Sequence, residues 1–545
     1  MDYNKLAELI FPNVTLTPDD LEAKYPERNL PEGARVTRVA PSPTGFIHLG
    51  GLYQAVLDEH VAHQSGGVFY LRIEDTDRKR LVDGAVENII DSFAFFGINF
   101  DEGAGKNGAD IGNYGPYRQS ERREIYHVFA KKLMSEGRAY PCFCTAEELE
   151  KQHELQASLK ADPGYYGEYA KCRNLSLEQI EANIKAGMSY IIRFKSEGDK
   201  KITVKFKDEI KGELTLPQND NDFVLLKTDG LPTYHFAHAV DDHLMRTTHV
   251  VRGEEWLSTL PYHLELFRAL GFKCPKYAHT AQIMKGENGG KRKLSKRKDP
   301  EAAVTYYVEN GYPAIAVKKY LFTLLSSSFE EWLKANKNES ISKFPLKLSK
   351  MSISGCLFDN DKLNDISKTV LSEMTADEVF ELLKTWAPEY DKPLNELIVK
   401  NGDFIKAILS IGRGGAKPRK DLTTLKDVFD YVKYFFDEYF EPSQSELLKT
   451  DDAKAILNGY ALIWSEADEQ DVWFEKIKTL SEALGYCPNT KEYKQNPEGY
   501  KGHVGDVSAI IRLAVTGRES SPDMCTVLKL LGKEKILRRI EIATK

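Results

Sequence analysis

A histidine and two glycines stand at a turn where they could bind a phosphate. His48 precedes Gly50 and Gly51, between a segment that predicts a strand and one that predicts a helix. Unpaired N–H groups and the dipole at a helix N-terminus attract phosphate, and glycines let the backbone approach it closely. His48 would begin the helix, where its ring could donate a hydrogen bond to a phosphate oxygen. For this segment taken alone, the alternative is a tight turn with a surface histidine.

Six cations within eight residues, at 291–298, could act on the same phosphate. The segment reads Lys-Arg-Lys-Leu-Ser-Lys-Arg-Lys. Fixed cations stabilise the negative charge that develops when a phosphoanhydride is attacked, and lysine suits this role as a compact point charge. A solvated basic loop and a nucleic-acid patch are the alternatives.

The elements around these residues predict an α/β fold with a doubly wound, Rossmann-type domain. Alternation of strand and helix predicts parallel strands. The predicted strands and helices of this domain lie at 36–40, 49–63, 68–73, about 83–96, 223–226, 249–252 and 258–270.

Two further regions have different patterns. Short strands and one charged helical run between 114 and 222 are typical of an inserted α+β module. Beyond about 355 the pattern predicts an all-helical region. The helices expected there span 376–386, 424–439, 469–484 and 523–540.

The two phosphate-binding candidates resemble the signatures of class I aminoacyl-tRNA synthetases. Residues 48–51, His-Leu-Gly-Gly, are similar to the HIGH motif, and 293–297, Lys-Leu-Ser-Lys-Arg, to the KMSKS motif. Gly51 takes the place of the second histidine, Leu294 that of methionine and Arg297 that of the final serine. Further blocks resemble the glutamyl-tRNA synthetase family and follow its order along the chain. These blocks are 38–45, 72–78, 231–243 and 252–256.

The resemblance implies an enzyme that joins L-glutamate to the 3′ end of tRNA-Glu through glutamyl-adenylate, in protein biosynthesis. ATP is the implied cosubstrate and Mg²⁺ would accompany it. The resemblance identifies His48, Lys293 and Lys296 as catalytic residues. It assigns ATP binding to Ser42, His48, Gly50, Gly51, Glu255, Trp256 and Lys296. It assigns glutamate binding to Arg38, Ala40, Ser42, Glu74, Tyr234 and Arg252.

The charge of free glutamate explains two of these residue types. Arg38 and Arg252 each end a predicted strand, where doubly wound sheets bind ligands. A guanidinium meets a carboxylate bidentately, and burying two cations against a neutral amide is costly, so free glutamine would be rejected. The resemblance places Glu74 near the α-ammonium. His238 stands where the family usually has asparagine.

Three cysteines of the inserted module could hold a structural zinc ion. Cys142, Cys144 and Cys172 supply three thiolates, and some family members carry a similar Cys-x-Cys pair with a later Cys and Tyr. The alternative is three reduced cysteines without metal. A residue such as Tyr166, Tyr169 or His153 could supply the fourth ligand.

The length of 545 residues predicts several domains. The expected domains are an N-terminal extension at 1–33, the two catalytic halves at 34–113 and 223–290, the inserted acceptor-stem module at 114–222, a KMSKS-type loop and stem-contact domain at 291–370, and a helical anticodon-binding region at 371–545.

Bulk composition favours a cytoplasmic protein without membrane contact. Hydrophobic residues make up 41% and charged residues 29% of the chain, which is typical of soluble globular proteins. No signal peptide or apolar run of about 18 residues is visible. Seven cysteines are too few and too scattered for a disulfide scaffold. We expect a monomer.

Three other functions are alternatives to glutamyl-tRNA synthesis. Glutaminyl-tRNA synthetase is the nearest enzyme alternative, but its C-terminal half is expected to be a β-barrel. A glutamyl-queuosine tRNA synthetase would lack an anticodon region. A non-catalytic tRNA-binding paralogue is disfavoured by the intact His48, Glu74, Lys293 and Lys296. Charging of tRNA-Gln as a second substrate stays open.

Overall fold

The computed structural model describes residues 1–287, 289–295, 297–337 and 339–545. The chain divides into two compact units. The α/β unit comprises Met1–Tyr306 and Lys318–Asp359, and the helical unit comprises Tyr307–Val317 and Asn360–Lys545. Among the described residues, no helix combines the length and apolar character needed to cross a membrane.

The strands all lie in the α/β unit. In chain order they are β1 (Val36–Val39), β2 (Val68–Leu71), β3 (Glu102–Ala104), β4 (Asp110–Ile111), β5 (Ala139–Cys142), β6 (Ile191–Phe194), β7 (Thr203–Asp208), β8 (Gly212–Pro217), β9 (Val224–Leu226), β10 (His249–Gly253), β11 (Lys276–Thr280), β12 (Ile283–Glu287), β13 (Gly290–Lys293) and β14 (Cys356–Leu357).

The helices run through both units. In chain order they are α1 (Tyr3–Ile10), α2 (Pro18–Lys24), α3 (Leu49–His63), α4 (Ala85–Phe95), α5 (Arg123–Ser135), α6 (Ala146–Ser158), α7 (Leu177–Lys185), α8 (Tyr234–Leu244), α9 (Leu260–Leu270), α10 (Thr305–Glu309), α11 (Ala314–Leu325), α12 (Phe329–Ala335), α13 (Asn360–Glu373), α14 (Ala376–Tyr390), α15 (Lys392–Leu409), α16 (Asp427–Val432), α17 (Asp451–Ile463), α18 (Gln470–Ala483), α19 (Thr490–Gln495), α20 (Val504–Thr516), α21 (Met524–Leu531) and α22 (Lys533–Thr544).

Strand β1 lies where the order of a doubly wound sheet reverses. On one side β1 pairs in parallel with β2, and β2 pairs in parallel with β3. On the other side the Thr248 amide, just before β10, donates to the Val36 carbonyl at 3.0 Å, and β10 pairs in parallel with β11. Such reversal points are where open α/β sheets bind ligands. The predicted Rossmann-type architecture is confirmed.

Helix α3 matches its predicted bounds because both of its ends are encoded locally. His48 caps the N-terminus with its ring. After the helix the chain must turn sharply to enter β2. Gly66 has a φ of +69°, and a Cβ on Gly67 would lie 1.9 Å from the Arg35 carbonyl oxygen. Only glycine fits that approach.

The prediction that 223–226 belongs to the doubly wound sheet is wrong. β9 pairs antiparallel with β6, which pairs antiparallel with β5, so β9 completes the sheet of the inserted module. The Thr233 amide donates to the Leu225 carbonyl at 2.9 Å and turns the chain directly into α8. The pattern of a three-residue apolar strand does not specify its neighbours.

Helix boundaries differ from prediction where the chain turns. Glu254–Thr259 forms a 3₁₀ helix, and α9 begins only at Leu260, with Pro261 in its first turn. The helix predicted at 523–540 is two helices, α21 and α22, because Gly532 has a φ of +75°.

The helical unit has one core of its own. Helices α13–α18 and α20–α22 contribute to it, and its buried side chains include Leu383, Leu397, Ile456, Tyr460 and Val507. The predicted all-helical character of this region is confirmed.

Candidate functional site

A cavity of about 520 Å³ opens at the carboxyl ends of β1 and β10. The predicted ATP, glutamate and catalytic residues that line it are Arg38, Ala40, Ser42, His48, Gly50, Gly51, Glu74, Tyr234, Arg252, Glu255, Trp256 and Lys293. Lys296 lies outside the described residues. Positions scattered over more than 250 residues of sequence therefore meet around one space.

His48 forms the N-terminal cap of α3. Its Nδ1 accepts the Gly50 N–H at 3.0 Å, and its carbonyl accepts the Gly51 and Leu52 amides at 2.8 and 3.1 Å. The N–H groups of Gly50 and Gly51 are therefore already paired within the cap. Because Nδ1 accepts, the neutral ring carries its proton on Nε2, which makes Nε2 a hydrogen-bond donor.

Glycine at position 50 serves this cap. A Cβ there would lie 3.3 Å from Nδ1 of His48 and would press on the ring. The glycine thus lets the imidazole fold back over the first turn of the helix.

Asp242 on α8 holds Arg38, which lines the cavity, and Arg72, which is fully buried. Nε of Arg38 lies 3.2 Å from both of its carboxylate oxygens, and NH1 of Arg72 lies 2.6 Å from Oδ1. Burial alone would raise the pKa of Asp242, but Arg38 and Arg72 outweigh it and keep the pKa well below its usual value. Arg38 itself is only 4% exposed. Its position is therefore determined by a buried, ionised partner.

Glu74 is a carboxylate of the cavity lining and is hydrogen-bonded to Arg72. Its Oε1 accepts a hydrogen bond from Arg72 NH2 at 3.2 Å. Burial raises the pKa of Glu74, and the charges of Arg72 and Arg38 oppose that rise. An ammonium group placed here would favour the ionised form further.

Arg252, near the end of β10, has a protein partner at each of its three guanidinium nitrogens. Nε donates to Nε2 of His279 at 3.0 Å, NH1 donates to the Tyr234 hydroxyl and to Nδ1 of His263, each at 3.3 Å, and NH2 approaches the Trp256 carbonyl at 3.4 Å. Arginine can only donate. His263 and His279 must therefore both be neutral, with the acceptor nitrogen facing Arg252.

The tautomer of His279 is fixed from its far side. Its Nδ1 lies 2.6 Å from Oδ2 of Asp208, so the proton resides on Nδ1 and the lone pair on Nε2. Burial lowers the pKa of His263 far below its usual value, which keeps that ring neutral too.

Sequence reasoning missed several buried groups that surround this cavity. Asp58 of α3 lines it, yet neither carboxylate oxygen has a hydrogen-bond partner in the structure, and burial raises the pKa of Asp58 well above its usual value. The other missed residues are Asp208, Asp241, Asp242, His263 and His279. Paired acids at 241–242 were the one signal present in the sequence.

The basic segment divides into an anchor and a cavity-facing part. Arg292 forms a two-pronged pair with Asp299, at 2.5 and 2.7 Å. The Ser295 amide also donates to Asp299, at 2.9 Å, and Leu294 is buried. Lys293, at the end of β13, lines the cavity. Arg292 thus holds the segment in place, while Lys293 contributes a cation to the cavity lining.

Cys142, Cys144 and Cys172 meet at the end of β5. The sulfurs of Cys144 and Cys172 are 3.7 Å apart, close to the ~3.8 Å edge of a tetrahedron with Zn–S bonds of ~2.3 Å. The Tyr165 hydroxyl lies 3.4 Å from the Cys142 sulfur and 3.3 Å from that of Cys144. The ligand atoms of the three cysteines all lie within 4.8 Å of one another. The residues present fit a zinc ion.

The oxygen at this cluster comes from Tyr165, so the expected fourth ligands Tyr166, Tyr169 and His153 are wrong. Tyr166 has extended backbone, with φ −149° and ψ 161°. Successive side chains of extended backbone point to opposite sides. Tyr166 therefore turns away and donates to the Asp162 carbonyl at 2.7 Å.

Two family models match the chain. One, described as the catalytic domain of class I tRNA synthetases (E and Q), matches residues 35–365, which is more than half of the chain. The chain belongs to the class I tRNA synthetases of the E and Q group. A second model, described as an anticodon binding domain, matches residues 378–544 of this synthetase.

Named relatives resemble this synthetase along its full length. It is 53% identical to the glutamate–tRNA ligase of Acetivibrio thermocellus, with 99% of this chain and 100% of that protein covered. It is 49% identical to the glutamate–tRNA ligase of Clostridium perfringens, with the same coverage. A crystal structure of a glutamate tRNA ligase from Elizabethkingia meningosepticum, in complex with its amino acid, superposes with a TM-score of 0.75 at 29% identity, covering 94% of this chain and 99% of that one.

Proposed function

We propose that this synthetase ligates L-glutamate to the 3′ end of tRNA-Glu, with ATP as cosubstrate and glutamyl-adenylate as intermediate. The observation that carries the proposal is the convergence of Arg38 and Arg252 with Glu74 on one cavity beside the capped helix α3. Two cations and one anion match the two carboxylates and the ammonium of glutamate. The 53% identity to a glutamate–tRNA ligase supports the same assignment.

Glutamate would enter with its side-chain carboxylate toward Arg38 and Arg252. Each arginine is held by partners that do not depend on substrate, so the fork is oriented before binding and little entropy is lost on contact. Glu74 would take the α-ammonium. Glutamine offers an uncharged amide to two buried guanidinium groups, and the desolvation of these cations is then uncompensated.

Activation joins the substrate α-carboxylate to ATP. A carboxylate oxygen attacks the α-phosphorus in line, the bond to the bridging oxygen breaks, and pyrophosphate leaves with that electron pair. Nε2–H of His48 and the ammonium of Lys293 would donate to phosphate oxygens on which charge develops. Mg²⁺ bound to the ATP phosphates would supply further charge neutralisation. The terminal ribose hydroxyl of tRNA then attacks the glutamyl carbonyl and AMP leaves.

The remaining roles are proposed on narrower grounds. We assign acceptor-stem contacts to 114–222 and 291–370 and anticodon contacts to 371–545, the last supported by the anticodon-binding model that matches 378–544. We assign structural zinc to Cys142, Cys144, Cys172 and Tyr165, supported by the distances above. Sparse cysteines support a reducing cytoplasm, and monomer remains our prediction for the oligomeric state.

The test is charging of purified tRNA-Glu and tRNA-Gln with labelled glutamate and, separately, labelled glutamine. Glutamate transfer to tRNA-Glu supports the proposal, and transfer to tRNA-Gln as well would add a second substrate. Glutamine is included because the matching family model covers E and Q enzymes. Transfer of glutamine, or of neither amino acid, would overturn it.

A further inference from the structure

His238 lies directly behind the wall of the glutamate cavity. It is on α8, one turn after Tyr234, and is fully buried. The two rings stack at an interplanar angle of 13° with centroids 5.8 Å apart. Tyr234 lines the cavity, so His238 acts on substrate only through other residues.

The imidazole of His238 connects two groups of opposite hydrogen-bonding character. Nδ1 lies 2.8 Å from Oδ2 of Asp242, a close contact that is poorly aligned for a full hydrogen bond. Nε2 lies 2.8 Å from the Tyr277 hydroxyl. A carboxylate only accepts, so the proton sits on Nδ1. Nε2 is then the acceptor, and the Tyr277 hydroxyl donates to it.

Each of these two partners holds one arginine of the cavity. Asp242 fixes Arg38 through Nε, at 3.2 Å to both oxygens. The ring of Tyr277 lies against the guanidinium of Arg252, with 4.8 Å between Cζ and the ring centroid. A continuous series of contacts therefore runs from Arg38 to Arg252, with His238 at its centre.

We propose that His238 is a positioning residue that sets the separation of Arg38 and Arg252, and thereby the affinity of the pocket for the side-chain carboxylate of glutamate. This inference rests on the proposed function. The two guanidinium groups repel each other, and a carboxylate can engage both only at one spacing. The connection through His238 maintains that spacing before glutamate arrives.

The residue type at 238 decides whether the connection exists. An asparagine, which the family usually has here, can reach Asp242 one helical turn away. Its amide ends closer to the backbone than the far nitrogen of an imidazole, so it would leave Tyr277 without an acceptor. Glutamine is longer and can present an oxygen near the position of Nε2.

The experiment measures KM and kcat for glutamate and KM for ATP in tRNA-Glu charging, with His238→Asn, His238→Gln, Tyr277→Phe and the double variant His238→Asn/Tyr277→Phe. Tyr277→Phe removes one oxygen and retains the ring against Arg252, so it tests the connection even if His238→Asn folds poorly. His243→Asn is the matched control, because His243 is on the same helix but pairs with Glu22 instead.

We expect His238→Asn and Tyr277→Phe each to raise KM for glutamate about 3- to 10-fold, the effect of one lost hydrogen bond, with kcat and KM for ATP nearly unchanged. The double variant should be no worse than either single variant, and His238→Gln should restore most of the loss. Unchanged KM for glutamate in Tyr277→Phe, or equal increases for ATP and glutamate, would overturn the inference. If the wild-type chain transfers no glutamate, the proposed function fails as well. If the wild-type chain charges tRNA-Glu but the variants do not behave as expected, only the inference about His238 fails.

Discussion

Replacing Arg252 by lysine keeps the positive charge of the glutamate pocket and removes its planar fork. In the structure that fork spreads its donors over His279, His263, Tyr234 and the Trp256 carbonyl. A lysine ammonium is a point charge and cannot meet both carboxylate oxygens in parallel. Losing one charge-assisted hydrogen bond costs about 1.5–3 kcal/mol. At ~1.4 kcal/mol per factor of ten, kcat/KM for glutamate should fall roughly 10- to 150-fold.

Steady-state charging of tRNA-Glu measures this effect when glutamate and ATP are varied separately. We expect KM for glutamate to rise while KM for ATP changes by less than about twofold, because the lost contacts are on the amino-acid side. Arg268→Lys is the control, since Arg268 is exposed on α9. Wild-type KM for glutamate in R252K, or an equal loss in R268K, would refute the assignment of Arg252 to the substrate carboxylate.

Three further predictions concern other parts of the molecule. Gly50→Ala should lower kcat by about 10-fold or more, with little change in KM for glutamate, because its Cβ would press on the His48 ring and displace a transition-state contact. The rate of adenylate formation in a single turnover measures this effect. An unchanged rate would contradict the role given to the His48 cap. Burial lowers the pKa of His235 to about 4 and of His238 to about 3, so the unfolded chain binds more protons than the folded chain below the unfolded histidine pKa of ~6.5. The stability that the neutral rings provide is fully present above that pH and should be lost as pH falls toward 4. Calorimetry should record a falling thermal midpoint, and a constant midpoint over this range would contradict the prediction. Gly517→Ala should be clearly more destabilising than Gly271→Ala. Both glycines end a helix in the left-handed region, at φ 72° and 75°, but only at Gly517 would a Cβ meet backbone, 2.2 Å from the Glu441 carbonyl oxygen. Thermal or urea unfolding compares the two variants, and Gly271→Ala should lose only about 1 kcal/mol.

The parts of the fold that the sequence predicted well are those whose signals are local. Helix α3 has a capping residue at one end and a glycine pair at the other, and its predicted bounds match. The three-residue strand β9 has no such signal, since an apolar run does not reveal which sheet it joins. Its partner β6 is about thirty residues earlier, and only the folded chain shows the pairing.

In the candidate site, too, the residues with a local sequence signal were predicted and the others were not. Residues in recognisable motifs, such as His48, Glu74 and Arg252, line the same cavity as expected. Asp208 and His263 contact that machinery only through tertiary packing, so spacing could not indicate them. The choice of Tyr165 over Tyr166 at the cysteines depends on which way an extended backbone points each ring.

The pairing of β9 with β6 also bears on how this chain can be rearranged. An insertion joined to its host by two flexible linkers can be deleted or exchanged like a cassette. Here the third strand of the inserted sheet is contributed by the host chain, and Thr233, whose amide is hydrogen-bonded to that strand, immediately precedes Tyr234 of the cavity. Excision of 114–222 would leave β9 with an unpaired edge next to the amino-acid pocket. A chimaera must therefore exchange the inserted module and the pocket residues that follow β9 as one block.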